Sequence, residues 1–397
     1  MALRHDERPR LTWGPRDSEN RALILLGSAY EMNRAHSPSP VAAFAADAAT
    51  APKRAEHCAF KIAPALVCLL ATMALLLSGW ERSASARQQT PGELDLIQIR
   101  PNFYVIAGAG GNILVQIGPE GAILVDSGTT EMTDKVLAMI RNITPLPIRY
   151  IINTSMDADH VGGNDGLARA GLSILPGAVA AGAGLNDDLV SNSGRASVLA
   201  HENVLTRMTA STGPQAVPFA LWPTKTFAFR LYSMYLNGEG IQVIHMPAAH
   251  TDGDTIVFFR RGDVIATGDI IDTTRWPVID IKRDGTVQGE LDALNRLMDM
   301  SILNVPLQWN PDRTFLVPGH GHVYDKLDLL EYRDAVTVVR DRVQDLIDEG
   351  KTLAQVKAAD PTLGYRSQYG ADKGEWTTDM FVEVIYNELA AKKGKKE

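Results

Sequence analysis

The chain has 397 residues, of which 45% are hydrophobic, and its formal net charge is −8. This length and apolar content suffice for one large hydrophobic core or two smaller ones. The acidic balance argues against a bulk nucleic-acid binder, because such proteins usually carry a basic surface. We therefore expect a small-molecule substrate and no nucleic-acid partner, while the composition leaves the oligomeric state open.

The N-terminal region has the pattern of an export signal. Residues 63–79, APALVCLLATMALLLSG, form an unbroken apolar run that follows three basic residues and precedes an A-x-A pattern at 84–86. We predict a signal peptide over 58–86 and a periplasmic or secreted product. The run is also near the length of a membrane span, so an uncleaved single anchor is the alternative, and membrane contact is expected only through it. Residues 1–57 lack apolar periodicity and are interpreted as a disordered extension or a misassigned translation start. Both cysteines, Cys58 and Cys68, fall in the signal, so the mature chain needs no disulfide.

The mature chain alternates strand and helix patterns. FYVI, NILVQIG and AILVDSG read as buried strands joined by tight turns, and residues 131–143 have helical apolar spacing. The strand IRYIIN then leads directly into NTSMDADHVGGN at 153–164. A looser repeat follows, with strands KTFAFRL, IQVIHM, TIVFFR, DVIATGD and TFLVPGHG, and helices over 290–303, 325–349 and 378–391. Residues 177–223 look like an insertion over one face. Two β-rich halves with helices predict an α/β protein with mixed sheets.

Chemistry-bearing residues follow four of the predicted strands. Asp159 and His160 lie in the first of these loops, His250 in MPAAHTDGD, Asp269 in ATGDIID, and His320 in LVPGHGH. A single histidine beside a glycine is more often an ordinary loop residue than a ligand. Acids and imidazoles at four successive strand ends are much harder to explain as loop residues, and they indicate a metal site.

These residues and their context resemble the metallo-β-lactamase superfamily over about 103–325. The family's leading motif is His-x-His-x-Asp-His, followed by a later His, an Asp and a final His. On this chain the matching positions are Ser155, Asp157, Asp159, His160, His250, Asp269 and His320. The resemblance implies a four-layer αββα sandwich over 87–350, with the site at one edge of the two sheets. A C-terminal helical extension with a basic tail would occupy 351–397.

The chain departs from the family pattern at its leading motif. One family metal position uses the two leading histidines and the later one, which correspond here to Ser155, Asp157 and His250. The other position uses Asp159, His160 and His320, with Asp269 bridging, and all four are retained. The resemblance therefore implies one full metal site and one altered site.

The donor types indicate which ions would suit these positions. Imidazole and carboxylate are good zinc ligands, whereas an un-ionised serine hydroxyl is a poor one. We expect one zinc ion at the full site, or two ions in all. The altered set of Asp157, Asp269 and His250 is richer in oxygen, which shifts the preference towards Mn, Mg or Fe(II).

The leading functional hypothesis is an exported metallohydrolase of a small ester, lactone, amide or β-lactam. A metal-activated water would attack the substrate, Asp157 would move the proton, and Ser155 would orient Asp157 or the water. One alternative is a non-catalytic metal- or ligand-binding protein that retains the fold. Another is an iron or manganese redox enzyme.

Several other residues have weaker signals. Asp252 and Asp254 could hold the His250 imidazole in one tautomer or be ordinary turn residues. His322 is interpreted as a loop residue or one that supports a ligand, and His201 and His245 as structural. Four aromatic residues are candidates for a substrate wall, with core packing the favoured role: Trp222, Tyr232, Tyr235 and Trp276.

Overall fold

The computed structural model describes residues 92–173, 194–213, 216–303 and 313–393. The predictions for 1–57 and for the signal at 58–86 therefore lie wholly outside the described residues, and the prediction for the basic tail lies largely outside them. The part of the predicted insertion at 177–193 also lies outside them. The described residues belong to one compact unit that spans 86–397. Within the four described ranges, no helix is long and apolar enough to cross a membrane.

The first sheet contains seven strands, which lie side by side in chain order. They are β1 Asp95–Arg100, β2 Phe103–Ala109, β3 Gly111–Gly118, β4 Gly121–Val125, β5 Ile148–Ile152, β6 Ser197–His201 and β7 Lys225–Phe227. Strands β1 to β4 pair antiparallel, whereas β4 to β7 pair parallel. The carboxyl ends of β4, β5 and β6 therefore meet at one edge of this sheet.

The second sheet contains five strands in the order β12-β11-β10-β9-β8. They are β8 Leu231–Leu236, β9 Glu239–His245, β10 Thr255–Phe259, β11 Val264–Asp272 and β12 Phe315–His320. Strands β8 to β11 alternate in direction, and β11 pairs parallel with β12. The carboxyl ends of β9, β11 and β12 consequently share an edge.

Nine α-helices lie in the described residues. They are α1 Thr133–Ile143, α2 Ala158–Val161, α3 Asn164–Arg169, α4 Glu202–Ala210, α5 Val287–Met300, α6 Lys326–Asp348, α7 Leu353–Ala358, α8 Arg366–Tyr369 and α9 Thr378–Lys393. Short 3-10 helices occupy Thr130–Met132, Phe219–Leu221 and Ile281–Arg283. The longest helix, α6, begins with a capping box in which Asp325 and Asp328 each bind the backbone N–H of the other.

Three apolar layers hold the sandwich together. Successive side chains of a strand point to opposite faces of the sheet and so belong to different layers. Ile123 and Val125 of β4 face the second sheet, while Leu124 faces α1 on the outer side. On the far side, α5, α6 and α9 cover the second sheet through a cluster that includes Val339 and Phe381. The layers are thus helix, sheet, sheet, helix, which confirms the predicted αββα sandwich. The predicted C-terminal extension packs into the core of the same compact unit.

Two predicted elements differ from the structure. KTFAFRL, predicted as one strand, ends at Phe227, and β8 begins at Leu231 in the other sheet, because residues 228–230 cross between the two sheets. The helix predicted over 290–303 instead spans Val287–Met300. Its start is set by Thr286, whose hydroxyl accepts the N–H of Gly289 at 2.9 Å.

Candidate metal centre

The predicted ligands come together at the edge where the carboxyl ends of both sheets meet. Asp159 and His160 lie in the short helix α2, directly after the loop that leaves β5. His250 follows β9, Asp269 lies within β11, and His320 is the last residue of β12. Their side chains form two candidate cation groups. We call Asp159, His160, His320 and the adjoining Asp269 site A, and Asp157, His250 and Asp269 site B.

Site A has the spacing of a metal site. His320 Nε2 lies 3.1 Å from Asp159 Oδ2 and 3.5 Å from Asp269 Oδ1, and His160 Nε2 lies 3.1 Å from Asp269 Oδ1. Four ligands arranged tetrahedrally at zinc bond lengths lie about 3.4 Å from one another. Two imidazoles and two carboxylates at these separations fit a zinc-sized cation.

Site B has a similar but looser arrangement. His250 Nε2 lies 3.1 Å from Asp157 Oδ2 and 3.9 Å from Asp269 Oδ2. One imidazole and two carboxylates make this donor set richer in oxygen than site A, which suits harder cations. Asp269 turns one oxygen towards each site, as expected for the bridging position.

Glycine permits the close approach of β11 and β12 beside Asp269. A Cβ at Gly319 would lie 2.3 Å from Asp269 Oδ1, so a larger residue there would displace the carboxylate. Gly268, which precedes Asp269, has φ 54° and leaves no room for a side chain because Thr154 Oγ1 would lie 2.5 Å from its Cβ. These two glycines hold the bridging carboxylate against both sites.

His160 is oriented by a buried carboxylate that the sequence analysis assigned no role. Its Nδ1 lies 2.8 Å from Asp126 Oδ2, and Asp126 also accepts hydrogen bonds from the backbone N–H and the hydroxyl of Thr154. A carboxylate on the far ring nitrogen fixes the tautomer that leaves Nε2 free to bind a cation. The sequence signal was an acid directly after the apolar run of β4; in the structure Asp126 is buried and adopts φ 65°.

His250 is held by a backbone carbonyl and not by either of the acids proposed from sequence. Its Nδ1 donates to the carbonyl of Val278 at 2.7 Å. Asp254 instead closes a turn by accepting from the N–H and the hydroxyl of Thr251, and Asp252 pairs with Arg207. Of the two roles open to these acids, the structure supports the turn role for Asp254 and an ion pair for Asp252.

Asp157 has several hydrogen-bond partners. Its Oδ1 accepts from the Arg283 guanidinium at 2.8 Å, and its Oδ2 accepts from the Ser155 hydroxyl at 3.0 Å. Ser155 thus orients Asp157, as one of its two predicted roles requires. Burial alone would raise the pKa of Asp157, but the His250 hydrogen bond and the charges of His250 and Arg283 bring this pKa well below its usual range. A carboxylate in this environment stays ionised, which suits a ligand and makes it a weak base.

Opposite charges also shift the pKa values of the imidazoles. Burial lowers the pKa of His250, but the hydrogen bond that its Nε2 donates to Asp157 and the charges of neighbouring carboxylates raise this pKa to about 10. Burial likewise disfavours protonation of His160, yet Asp269 and Asp126 raise its pKa well above the ordinary value. In the metal-free protein these imidazoles therefore bind protons that a cation would displace.

A pocket of about 230 Å³ opens onto both sites. Two guanidinium groups line it, those of Arg275 and Arg283. Arg275 Nε donates to Asp272 at 2.5 Å, and Arg283 is held by Asp280 at 2.7 Å as well as by Asp157. Trp376, from the segment before α9, forms part of the wall. Sequence reasoning missed these three residues, because nothing local in their segments distinguishes them from ordinary loop residues.

The remaining histidines and aromatics have structural environments. His201 caps α4 by accepting the N–H of Asn203, and its ring stacks on His245 with centroids 3.6 Å apart, as expected for structural residues. His322 bonds to Thr273 beside β12. Trp276 is 1% exposed and stacks on Phe381 in the core. Of the four predicted aromatics, none is among the described residues that line the metal pocket.

The fold and the site together define an α/β metallohydrolase, with a carboxylate–imidazole centre at the shared edge of two sheets. A family model described as the metallo-beta-lactamase superfamily matches residues 106–337, more than half of the chain. The chain belongs to the metallo-β-lactamase superfamily, as the resemblance in its sequence predicted.

Individual relatives add further similarity. A linear primary-alkylsulfatase from a Pseudomonas species is 27% identical over 286 residues, which are 64% of this chain and 52% of that protein. The chain thus spans about half the length of this curated relative. The secondary alkylsulfatase Pisa1 from Pseudomonas has the same fold, with 15% identity and a TM-score of 0.53 over 74% of this chain and 50% of that one. A metallo-beta-lactamase from Pontibacter korlensis is 18% identical, with a TM-score of 0.44 over 62% of this chain and 99% of that one.

Proposed function

We propose that the chain is a metal-dependent hydrolase of anionic esters, with alkyl sulfates as the favoured substrate class. The observation that carries this proposal is the pair of guanidinium groups, Arg275 and Arg283, in the pocket that opens onto the metal ligands. The similarity to a primary-alkylsulfatase supports the same class. Among the substrates considered from sequence, these two observations favour an anionic ester over a neutral lactone or amide.

The arginines fit the head group of such a substrate. A guanidinium presents N–H donors in a planar fork that matches tetrahedral oxyanions, and charge-assisted hydrogen bonds of this kind are the strong ones. Asp272 holds Arg275 and Asp280 holds Arg283 through Nε, which fixes both side chains at the pocket wall. These guanidinium groups would bind the charge of a sulfate or phosphate head group, which a neutral lactone or amide lacks.

The ligand residues would position the reaction at the sheet edge. Site A would hold the main cation through Asp159, His160, His320 and Asp269, and site B would hold a second one less tightly. A divalent cation there supplies Lewis acidity, which polarises the ester and acidifies water. Asp157 is kept ionised by its surroundings, so it could bind a cation, but its lowered pKa makes it a weak proton acceptor.

The metal and the location are part of the proposal. The donor set of site A favours zinc, and the oxygen-richer site B would also accept manganese or iron. The pattern at 58–86 supports export as a periplasmic or secreted protein. Fractionation of expressing cells, with N-terminal sequencing of the exported form, tests location; full-length chain confined to the cytoplasm would contradict export.

The test of function compares substrates on one metal-loaded preparation. Octyl sulfate, octyl phosphate, a butyrolactone and a chromogenic β-lactam are supplied with zinc or manganese, and release of alcohol or acid is measured. Sulfate-ester hydrolysis that is lost in Asp159→Ala but retained in the surface variant Asp379→Ala supports the proposal. Turnover of the lactone or lactam alone would overturn the substrate class.

One observation favours the alternative of a non-catalytic binding protein. Asp157, in place of a histidine ligand, is engaged by Arg283, so a positive side chain already compensates part of the charge of site B. A fully metal-loaded protein that turns over none of the four substrates would support this alternative over the hydrolase.

A further inference from the structure

We propose that an apolar groove beside the metal pocket binds the hydrocarbon chain of the substrate, so that the protein acts on long-chain amphiphilic esters. This inference rests on the proposed function. The groove encloses about 400 Å³. We call this cavity, which lies between residues 278–282 and residues 376–387, the α9 groove.

The groove has two walls from distant parts of the chain. One is the segment between β11 and α5, which contributes Val278 and Ile281. The other is α9 with the short segment before it, which contributes Met380 and Trp376. Ile281 is 58% exposed and Met380 is 40% exposed, so two large apolar side chains face solvent on the same groove. Apolar surface gathered in this way is typical of a ligand-binding groove.

The groove adjoins the metal pocket. Val278 and Trp376 line both cavities, and the carbonyl of Val278 also holds the ring of His250. A substrate whose anionic head lay between Arg275 and Arg283 would therefore extend its other end past these two residues into the α9 groove.

This adjacency points to one kind of occupant. A ligand that reaches from the metal pocket, where two guanidinium groups lie beside the candidate cation sites, into an adjoining apolar groove has an anionic head and a hydrocarbon tail. Polar groups at the groove, such as Asp280, Lys282 and Glu383, leave the tail's end open to water. The α9 wall lies beyond the residues that the family model matches, so this specificity would come from the C-terminal region of the chain.

The test measures binding, separately from turnover, with alkyl sulfonates, which share the head group but contain no ester to cleave. Butyl, hexyl, octyl and decyl sulfonate are titrated calorimetrically into the metal-loaded full chain. Affinity should rise with chain length, by up to about four-fold for each methylene group that is buried.

A charged side chain in the α9 groove should abolish the rise in affinity with chain length. In Met380→Asp, decyl sulfonate should bind no better than butyl sulfonate, whereas butyl sulfonate should bind as in the original protein. Met380→Leu should keep the dependence. Leu327→Asp, which adds the same charge at a residue 46% exposed on α6, should keep it as well.

The outcomes separate this inference from the proposed function. If sulfonate affinity does not depend on chain length, or if it depends on chain length equally in Met380→Asp, the groove does not bind the hydrocarbon chain. The hydrolase proposal is then unaffected. Chain-length-dependent binding without hydrolysis of any sulfate ester overturns the hydrolase proposal alone. Failure of every sulfonate to bind overturns both. A dimer that Met380→Asp dissociates, measured by sedimentation, would assign the groove to a second copy and overturn the inference.

Discussion

Replacing Asp126 by Asn should weaken cation binding at site A without touching a ligand. Asp126 accepts from His160 Nδ1 at 2.8 Å, from the Thr154 hydroxyl at 2.7 Å and from the Thr154 N–H at 2.8 Å. The first two bonds share Oδ2 and the third uses Oδ1. An amide has one oxygen and one NH2 group, so either orientation places a donor against a donor.

The expected loss of zinc affinity follows from that mismatch of donors. A hydrogen bond to a charged group contributes about 1.5–3 kcal/mol. Loss of an outer partner of a ligating histidine typically lowers metal affinity about 10- to 100-fold, which is about 1.4–2.7 kcal/mol. His160 is completely buried, so water cannot readily replace the lost partner. We therefore expect zinc to bind Asp126→Asn about 10- to 100-fold more weakly.

Competition with a chromogenic zinc chelator measures this affinity directly. The matched control is Glu239→Gln, another buried carboxylate that accepts backbone N–H groups, those of Arg261 and Gly262, at the opposite end of β9. Circular dichroism of both variants verifies folding. A folded Asp126→Asn protein with unchanged zinc affinity would refute the idea that this carboxylate orients His160.

Three further predictions concern the two sites and the pocket. Asp159→Ala should lower the zinc content measured by elemental analysis. The paired change Ser155→His with Asp157→His should raise the zinc content by about one ion, because imidazole is a better zinc ligand than either original side chain. No gain in zinc would contradict the alignment of the leading motif. Because the pKa of His250 is raised to about 10, its stabilising effect is present below the unfolded pKa and is lost as pH rises through the folded one. Metal-free protein should therefore lose unfolding free energy from about pH 7 to about pH 10 in urea titrations, and His250→Gln should flatten the profile. Arg275→Ala should reduce kcat/KM for octyl sulfate about 10- to 100-fold, and an equal loss for a neutral acetate ester would argue against recognition of the anionic head.

Local sequence patterns predicted most of the buried strands and the amphipathic helices, but not β1 or β6. Strand β1 is half exposed, and β6 lies within the region interpreted as an insertion and shows no alternation of buried and exposed residues. The junction between β7 and β8 was read as one strand because a change of sheet leaves no mark on local periodicity.

The candidate ligands and their order along the chain could be predicted from sequence alone, because each lies in or just after the carboxyl-terminal part of a predicted strand and imidazoles with carboxylates have distinctive chemistry. The tertiary structure alone decided how those ligands are supported. Asp126 reaches His160, the Val278 carbonyl reaches His250, and Arg283 reaches Asp157 only after separate elements pack against one another. Periodicity and turn preferences act over a few residues, whereas these contacts, and the placement of Trp376 at the pocket wall, depend on how whole sheets and helices approach in space.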